Sequence, residues 1–273
     1  MHPERTNEGN AAKSGDPFVR SHQVGKSFSS RTRATLKAVQ DVSLDMHAGE
    51  FVSIVGPSGC GKSTLMMMVS GLIPTSGGAI EIENNSVTRP YTNLGIVFQR
   101  DALLEWRTVL DNVLLQVDIR RLNRATNTPR ALALLARAGL AGFEKYYPWE
   151  LSGGMRQRVA ICRALISDPP LLLMDEPFGA LDAMTREQMN LDLQKLWLEN
   201  RKTVLFITHS ISEAVFLSDR VAIMTPRPGT VAADIKIDLP RPRKLSMRET
   251  PSFGRYVAQI RETFQSFGLL NED

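Results

Sequence analysis

The sequence predicts an α/β protein in which a mostly parallel sheet is covered by helices. Along most of the chain, short apolar runs suited to buried strands alternate with segments of helical periodicity. One such run, Phe51–Val55, leads through a glycine-rich loop into a helical segment. Another, Leu171–Met174, ends in the acidic pair Asp175 and Glu176. These three observations together define the fold class.

The elements follow in chain order. Residues 1–16 are polar without periodicity, and we expect a disordered tail there. Besides Phe51–Val55, strands are predicted at Phe18–Val24, Leu36–Met46, Ala79–Glu83, Leu94–Phe98, Leu171–Met174, Thr203–Thr208 and Arg220–Met224. Helices are predicted from Lys62 onward, within 108–142, and at Gly153–Ile166, Met184–Asn200, Ile211–Leu217 and Phe253–Phe267.

Composition narrows the functional class. The formal net charge is only +4, which is weak support for nucleic-acid binding, and none is expected. The chain has only two cysteines, Cys60 and Cys162, which favours a reducing compartment over a disulfide framework. No signal peptide is recognised, and the longest apolar runs are too short to cross a bilayer. Any role at a membrane therefore requires another chain to hold this one there.

A phosphate-binding loop follows the strand Phe51–Val55. Its pattern is complete, with four residues between the first glycine and the Gly-Lys-Ser triplet. Lys62 is expected to reach the β- and γ-phosphates, and the Ser63 hydroxyl to ligate Mg²⁺. The predicted ATP-binding residues here are Gly56, Pro57, Ser58, Gly59, Cys60, Gly61, Lys62, Ser63 and Thr64.

Three further side chains are predicted to take part in hydrolysis of the bound triphosphate. Asp175 ends an apolar strand and is expected to hold the Mg²⁺ shell. Glu176 follows it and is expected to aim elsewhere, because successive strand residues alternate in direction, and so to polarise the attacking water. His209 follows a later strand, where an imidazole could contact the γ-phosphate.

A second anion site is predicted at the start of the helix Gly153–Ile166. Ser152 can cap this helix, and Gly153 and Gly154 leave the first-turn N–H groups uncovered. The segment from Leu151 to Gln157 lies just before the apolar strand that ends in the acidic pair, which is a specific arrangement.

These motifs, in this order, resemble the ATP-binding cassette (ABC) family over about residues 18–225. The loop at 56–63 looks like Walker A, 171–176 like Walker B and 151–157 like the family signature. The resemblance implies an ABC-type P-loop core with an N-terminal antiparallel β subdomain and a helical signature subdomain. It implies ATP and Mg²⁺ as cofactors.

The resemblance also assigns individual residues. Gln99 matches the Q-loop glutamine, a catalytic and metal-sensing position, which makes the expected metal set Ser63, Gln99 and Asp175. Asp182 matches the D-loop and His209 the switch histidine. Phe28 stands where the family places an adenine-stacking aromatic. The residues implied to meet a partner's ATP are Ser152, Gly153, Gly154 and Gln157.

The implied assembly is a head-to-tail dimer in which each ATP lies between Walker A of one chain and the signature of the other. Domain boundaries are expected at 1–16 for the tail, 17–250 for the ATPase with a helical subdomain at about 100–165, and 251–273 for a helical extension. A single cassette without a membrane span resembles an importer subunit that docks on separate permease chains. This places it at the cytoplasmic face of the plasma membrane, served indirectly by a solute-binding protein.

Several stretches resemble the nitrate, sulfonate and taurine branch of importers, among them 108–113, 174–184 and 206–229, including Arg227-Pro228-Gly229. One departure is Glu105, where these relatives usually have Pro; it lies in the region expected to meet the permease. The solute is left open among nitrate, sulfonates, taurine and similar small molecules.

Two other classes of protein fit the sequence less well. A soluble ABC ATPase acting on nucleic acid or the ribosome usually has joined cassettes or a long coiled-coil insertion, and only 90 residues separate Lys62 from Ser152 here. A nucleotide-binding subunit without activity is disfavoured by the presence of Glu176 and His209.

Overall fold

The computed structural model describes residues 15–29 and 35–268. The expected tail, residues 1–16, lies outside this range except for its last two residues, as do the last five residues of the expected C-terminal extension. No helix in the described part of the chain combines the length and the apolar content that a bilayer crossing requires.

The strands are β1 Val19–Ser29, β2 Thr35–Met46, β3 Phe51–Val55, β4 Gly77–Ile82, β5 Asn85–Ser86, β6 Leu94–Val97, β7 Leu171–Asp175, β8 Thr203–Ile207, β9 Arg220–Met224 and β10 Val231–Lys236. The α-helices are α1 Lys62–Val69, α2 Val109–Val113, α3 Leu115–Ile119, α4 Arg124–Arg137, α5 Gly153–Leu165, α6 Ala183–Asn200, α7 Ile211–Leu217 and α8 Pro251–Gln265.

The main sheet confirms the predicted fold class. Its six strands lie in the order β10-β9-β3-β8-β7-β6, and all neighbouring pairs are parallel except β10 with β9. Strand β8 lies between β3 and β7, with Ile207 opposite both Ile54 and Asp175. The carboxyl ends of these three strands therefore meet at one edge, where parallel sheets commonly bind ligands.

The five parallel strands of this sheet are buried on both faces, which explains why they are mostly apolar. Along β3, Phe51 and Val55 join a core that includes the helical segments from α2 to α8, while Val52 and Ile54 join a second core with β1, β2 and α1. The second sheet, β2-β1-β4-β5, is antiparallel, as the resemblance implied.

Residues 108–142 were predicted only as a helical region, and the structure divides them into α2, α3 and α4. Thr108 caps α2 by accepting from the Asp111 N–H, and Asn123 caps α4 by accepting from the N–H groups of Ala125 and Thr126. Arg121, between α3 and α4, has φ of +54°, which interrupts helical geometry. The apolar residues keep a helical spacing across such breaks, because the buried face of one helix continues into that of the next. The sequence pattern therefore predicts one helical region rather than three helices.

The C-terminal part differs from the prediction in two ways. Strand β10 was not predicted, and its side chains are mostly exposed or half-buried, as expected of an edge strand with no strong apolar alternation. Helix α8 begins two residues earlier than predicted, because Thr250 caps it and Pro251 takes the first helical position. Phe253 and Ile260 bury this helix in the main core.

Candidate active site

A cavity of about 370 Å³ opens at the edge of the main sheet where β3, β8 and β7 end. It brings together residues from the phosphate loop, both sheets and the segments after β6 and β9. Its lining consists of Phe28, Leu36, Ala38, Ser58, Gly59, Gly61, Lys62, Ser63, Thr64, Gln99, Asp175, Glu176 and Arg227. Most of the residues predicted from motifs to hold nucleotide therefore surround one space.

Lys62 ends the phosphate loop and is the first residue of α1. Its side chain is almost fully buried, and Nζ donates to the carbonyl oxygens of Gly56 and Pro57 at 2.9 and 3.0 Å. A buried ammonium needs such acceptors to offset its lost hydration. The loop thus places one positive charge against the cavity, with a helix N-terminus beside it at the start of α1.

Gly61 shows why the loop requires glycine. Its φ is +109°, and a Cβ there would lie 2.7 Å from Val39 Cγ2 and 2.8 Å from the Ala38 carbonyl oxygen. Strand β2 therefore packs directly against the loop, which connects the antiparallel sheet to the phosphate site.

Ser63 and Asp175 form the oxygen-rich end of the cavity. The Ser63 hydroxyl donates to Asp175 Oδ1 at 3.0 Å. Burial raises the pKa of the Asp175 carboxyl, and the neighbouring Glu176 acts in the same direction, while Ser63 and Lys62 oppose both. A hydroxyl beside a carboxylate, with the Gln99 amide nearby, is an oxygen-only donor set of the kind that suits Mg²⁺.

Glu176 contacts two other residues that were predicted to act in hydrolysis. Its Oε2 accepts from Gln99 Nε2 at 3.2 Å and lies 3.4 Å from His209 Nδ1. The predicted reason for its orientation was wrong: β7 ends at Asp175, and Glu176 has a left-handed φ of +43° with its N–H bonded to the Ile207 carbonyl. A turn, rather than strand alternation, directs this carboxylate.

His209 is half-exposed and does not line the cavity in this structure; it reaches the site through Glu176. Phe28, at the opposite end, is 41% exposed and lines the cavity together with Leu36. An aromatic face open to solvent at a cavity rim can stack on a planar base. The ammonium of Lys26 lies 5.3 Å from the centre of this ring.

The signature residues lie elsewhere on the molecule. Ser152 caps α5 by accepting from the Met155 N–H at 3.3 Å, and Gly153 is exposed at the start of that helix. Neither lines the cavity, and Gly154 does not either. The two elements that the sequence predicts to bind anions therefore lie at separate places on one chain.

Gln157 and Asp182, the other residues implied to lie at a partner's ATP or in the D-loop, differ in exposure. Gln157 is only 4% exposed and its amide nitrogen has no hydrogen-bond partner among the described residues, so direct contact with a partner's nucleotide is not available to it in this conformation. Asp182 is exposed and caps α6, and hydrogen bonds from Thr185 lower the pKa of its carboxyl.

Comparison with known proteins decides the family. The profile described as ABC transporter matches residues 39–179. A taurine import ATP-binding protein, TauB, of Rhizobium johnstonii is 45% identical over 244 residues, covering 88% of this chain and 93% of that protein. The chain belongs to the ABC transporter family. This cassette is accordingly an ATP-binding subunit that hydrolyses ATP.

Solved structures agree with this assignment. A dimeric bacterial ABC transporter cassette matches with a TM-score of 0.72 at 34% identity, covering 81% of this chain and 99% of that chain. The same cassette in a post-hydrolysis state, bound to ADP and Pi, matches with a TM-score of 0.70 at 34% identity and the same coverage.

Arg227 is a cavity residue of the cassette that sequence reasoning missed. Its Nε and Nη2 both donate to the Gly59 carbonyl oxygen, at 3.0 and 2.8 Å, which ties the loop after β9 to the phosphate loop. The segment 227–229 served only as a mark of family branch in the sequence. The feature that could have indicated a role for Arg227 at the cavity is its position after β9, because β9 pairs with β3, the strand that leads into the phosphate loop.

Gly229 makes the closest approach of that loop. A Cβ at this position would lie 2.0 Å from the Cys60 carbonyl oxygen, a rigid backbone atom. We expect Gly229→Ala to displace the phosphate loop, lowering the free energy of unfolding by about 1–3 kcal/mol and weakening nucleotide binding. Urea denaturation and nucleotide titration measure the two effects.

The matched control is Gly254→Ala in α8, where a Cβ would meet no atom of residues 15–29 or 35–268 within 4 Å. Because alanine favours helix over glycine, this variant should gain about 0.5–1 kcal/mol. Equal effects of the two substitutions would contradict the close packing at Gly229.

Cys60 lies in the phosphate loop, but it does not line the cavity. The thiol is 1% exposed among apolar residues of the second core, and burial raises its pKa. The place of Cys60 in the loop alone would predict that thiol reagents block the ATP site. We instead expect both Cys60 and the buried Cys162 to react slowly with a disulfide reagent in the native protein and quickly in guanidinium. Rapid labelling of one thiol without denaturant would contradict this placement.

Proposed function

We propose that this cassette powers uptake of a small sulfonate such as taurine by hydrolysing Mg²⁺-bound ATP between two copies of itself. The observation that carries the proposal is the convergence of Lys62, the Ser63–Asp175 pair and Glu176 on one cavity. Lysine supplies positive charge for the triphosphate, the pair supplies metal donors, and the glutamate supplies a base. These are the parts that phosphoryl transfer to water requires.

Mg²⁺ would be held by Ser63, Asp175 and Gln99. Because the Gln99 amide nitrogen donates to Glu176, its amide oxygen is the atom available to a metal. When bound, the ion would neutralise charge developing on the phosphate oxygens.

In the proposed hydrolysis, Glu176 orients and deprotonates the attacking water. Its left-handed turn sets it off the line of β7, so that Asp175 serves the metal and Glu176 serves the water. His209 and Gln99 contact the same oxygen of Glu176 and are suited to hold it in place. Phe28 is assigned to the adenine, and Arg227 to steadying the phosphate loop through Gly59.

The second anion element requires a second chain. Ser152 and Gly153 are open to solvent and do not line their own chain's cavity. In the proposed assembly they cover the ATP held by the partner, with Gly154 behind them and Asp182 nearby. The dimeric form of the matched cassette supports this arrangement.

The remaining partners follow from the relatives. The name of the Rhizobium protein supports taurine import, which would place this chain on the cytoplasmic side of a membrane beside permease subunits and a solute-binding protein. The comparisons offer no support for a soluble ATPase acting on nucleic acid or the ribosome.

The test is solute uptake in the source organism under sulfur limitation. Deleting this gene should abolish uptake of labelled taurine, and the wild-type gene, but not one carrying Glu176→Gln, should restore it. Loss of nitrate uptake with taurine uptake unchanged would refute the proposal that the solute is a sulfonate. No change in uptake of nitrate, taurine or alkanesulfonates would refute the proposal that the chain powers an importer of these solutes.

A further inference from the structure

Glu213 is a buried carboxylate that the proposed mechanism does not use. It lies on α7 and is 5% exposed. Its Oε2 accepts from the Thr208 hydroxyl at 2.6 Å, and its Oε1 lies 3.6 Å from Arg186 Nε. A carboxylate is buried at this depth only where partners replace its hydration. These two partners connect Glu213 to both chain segments that flank the proposed base.

Arg186 is the link to the segment after β7. Its Nη2 donates to the Leu181 carbonyl at 2.9 Å and its Nε to the Phe178 carbonyl at 3.3 Å. Phe178 follows Glu176 by two residues, and Leu181 precedes Asp182. The guanidinium thereby holds the whole turn from the base to the segment 180–182.

Thr208 is the link to the segment after β8. It directly precedes His209, and its hydroxyl oxygen also accepts from the Ser210 N–H at 3.0 Å. The hydroxyl thus fixes the backbone on both sides of the histidine, which in turn contacts Glu176. Contacts run from Glu176 through its own turn to Arg186, Glu213 and Thr208, and return through His209.

We propose that Arg186, Glu213 and Thr208 act as one positioning unit that holds His209 and the segment 180–182 in fixed relation to Glu176. This inference rests on the proposed role of Glu176 in hydrolysis. None of the three residues lines the nucleotide cavity. Disturbing the unit should therefore slow the chemical step and leave ATP binding nearly unchanged.

Steady-state ATP hydrolysis by the full chain tests this separation. Glu213→Gln and Arg186→Met should each lower kcat by about tenfold, with KM for ATP within about twofold of wild type. Thr208→Val should behave in the same way, whereas Thr208→Ser keeps the hydroxyl and should restore most of the activity. A purely structural role would not produce this rescue together with an unchanged KM.

The double variant tests whether the residues act together. Glu213→Gln with Arg186→Met should be no slower than the slower single variant, because either change breaks the same connection. Glu187→Gln is the matched control: it removes a half-exposed glutamate from the next position on α6, which pairs with Arg248, and should leave kcat unchanged.

Arg186 is partly exposed, so Arg186→Met is informative even if a change at buried Glu213 prevents folding. Three results would each overturn the proposed positioning role. They are additive losses of kcat in the double variant, unchanged kcat in folded Arg186→Met, and a raised KM with normal kcat. Wild-type protein without ATP hydrolysis would instead refute the proposed function, and the inference with it.

Discussion

Glu176→Gln is expected to abolish most ATP turnover while leaving the nucleotide bound. The amide keeps the size of the carboxylate but cannot accept the proton of the attacking water, and general-base catalysis typically contributes about 100- to 10,000-fold in rate. Lys62 and the Ser63–Asp175 pair, which we assign to phosphate and metal, are untouched by this change. Phosphate release at saturating Mg²⁺ and ATP measures the loss in kcat.

The control for this variant is again Glu187→Gln, which removes one negative charge outside the cavity. The ATP dissociation constant of Glu176→Gln should stay within about threefold of the wild-type value. Wild-type turnover in Glu176→Gln would remove this residue from the role of base.

Lys62→Met is expected to weaken ATP binding rather than turnover alone. The methionine side chain fills the space of the lysine stem, but the phosphates lose a charge-assisted donor worth about 1.5–3 kcal/mol, or roughly 10- to 150-fold in affinity. The buried Nζ is held by two backbone carbonyls of the loop, so it is already placed where the phosphates are expected. Calorimetric titration in the Glu176→Gln background isolates binding from hydrolysis.

Lys195→Met supplies the comparison, because Lys195 is an exposed lysine on α6 outside the cavity. It should bind ATP as the parent does. Unchanged affinity in Lys62→Met would exclude this lysine from the phosphate site.

Local patterns predicted the bounds of several elements that surround the candidate site. The bounds of β3, α7 and β9 and the first residue of α1 match the prediction, because each of these elements is short, apolar or marked by glycine and serine at its ends. The phosphate loop works mainly through its own backbone, so its sequence carries most of the information about its shape. The same is true of Ser152, which caps a helix within its own segment.

What the sequence did not reveal depends on contacts between distant segments. Arg227 reaches Gly59 only because β9 lies beside β3, and Arg186 meets Glu213 only because β7 and β8 are neighbours. The direction of Glu176 depends on a left-handed turn bonded to Ile207, which strand alternation cannot anticipate. No pattern within a short window contains these pairings.

In the proposed dimer, one ATP is shared by the phosphate loop of one chain and the Ser152–Gly153 turn of another. Sedimentation of Glu176→Gln with Mg²⁺ and ATP measures this most directly. We predict twice the 30.3 kDa mass of a single chain with ATP, a single-chain mass without it, and loss of the dimer when Ser152→Arg is added. A single-chain mass for Glu176→Gln at saturating ATP would contradict the sharing of ATP between two chains.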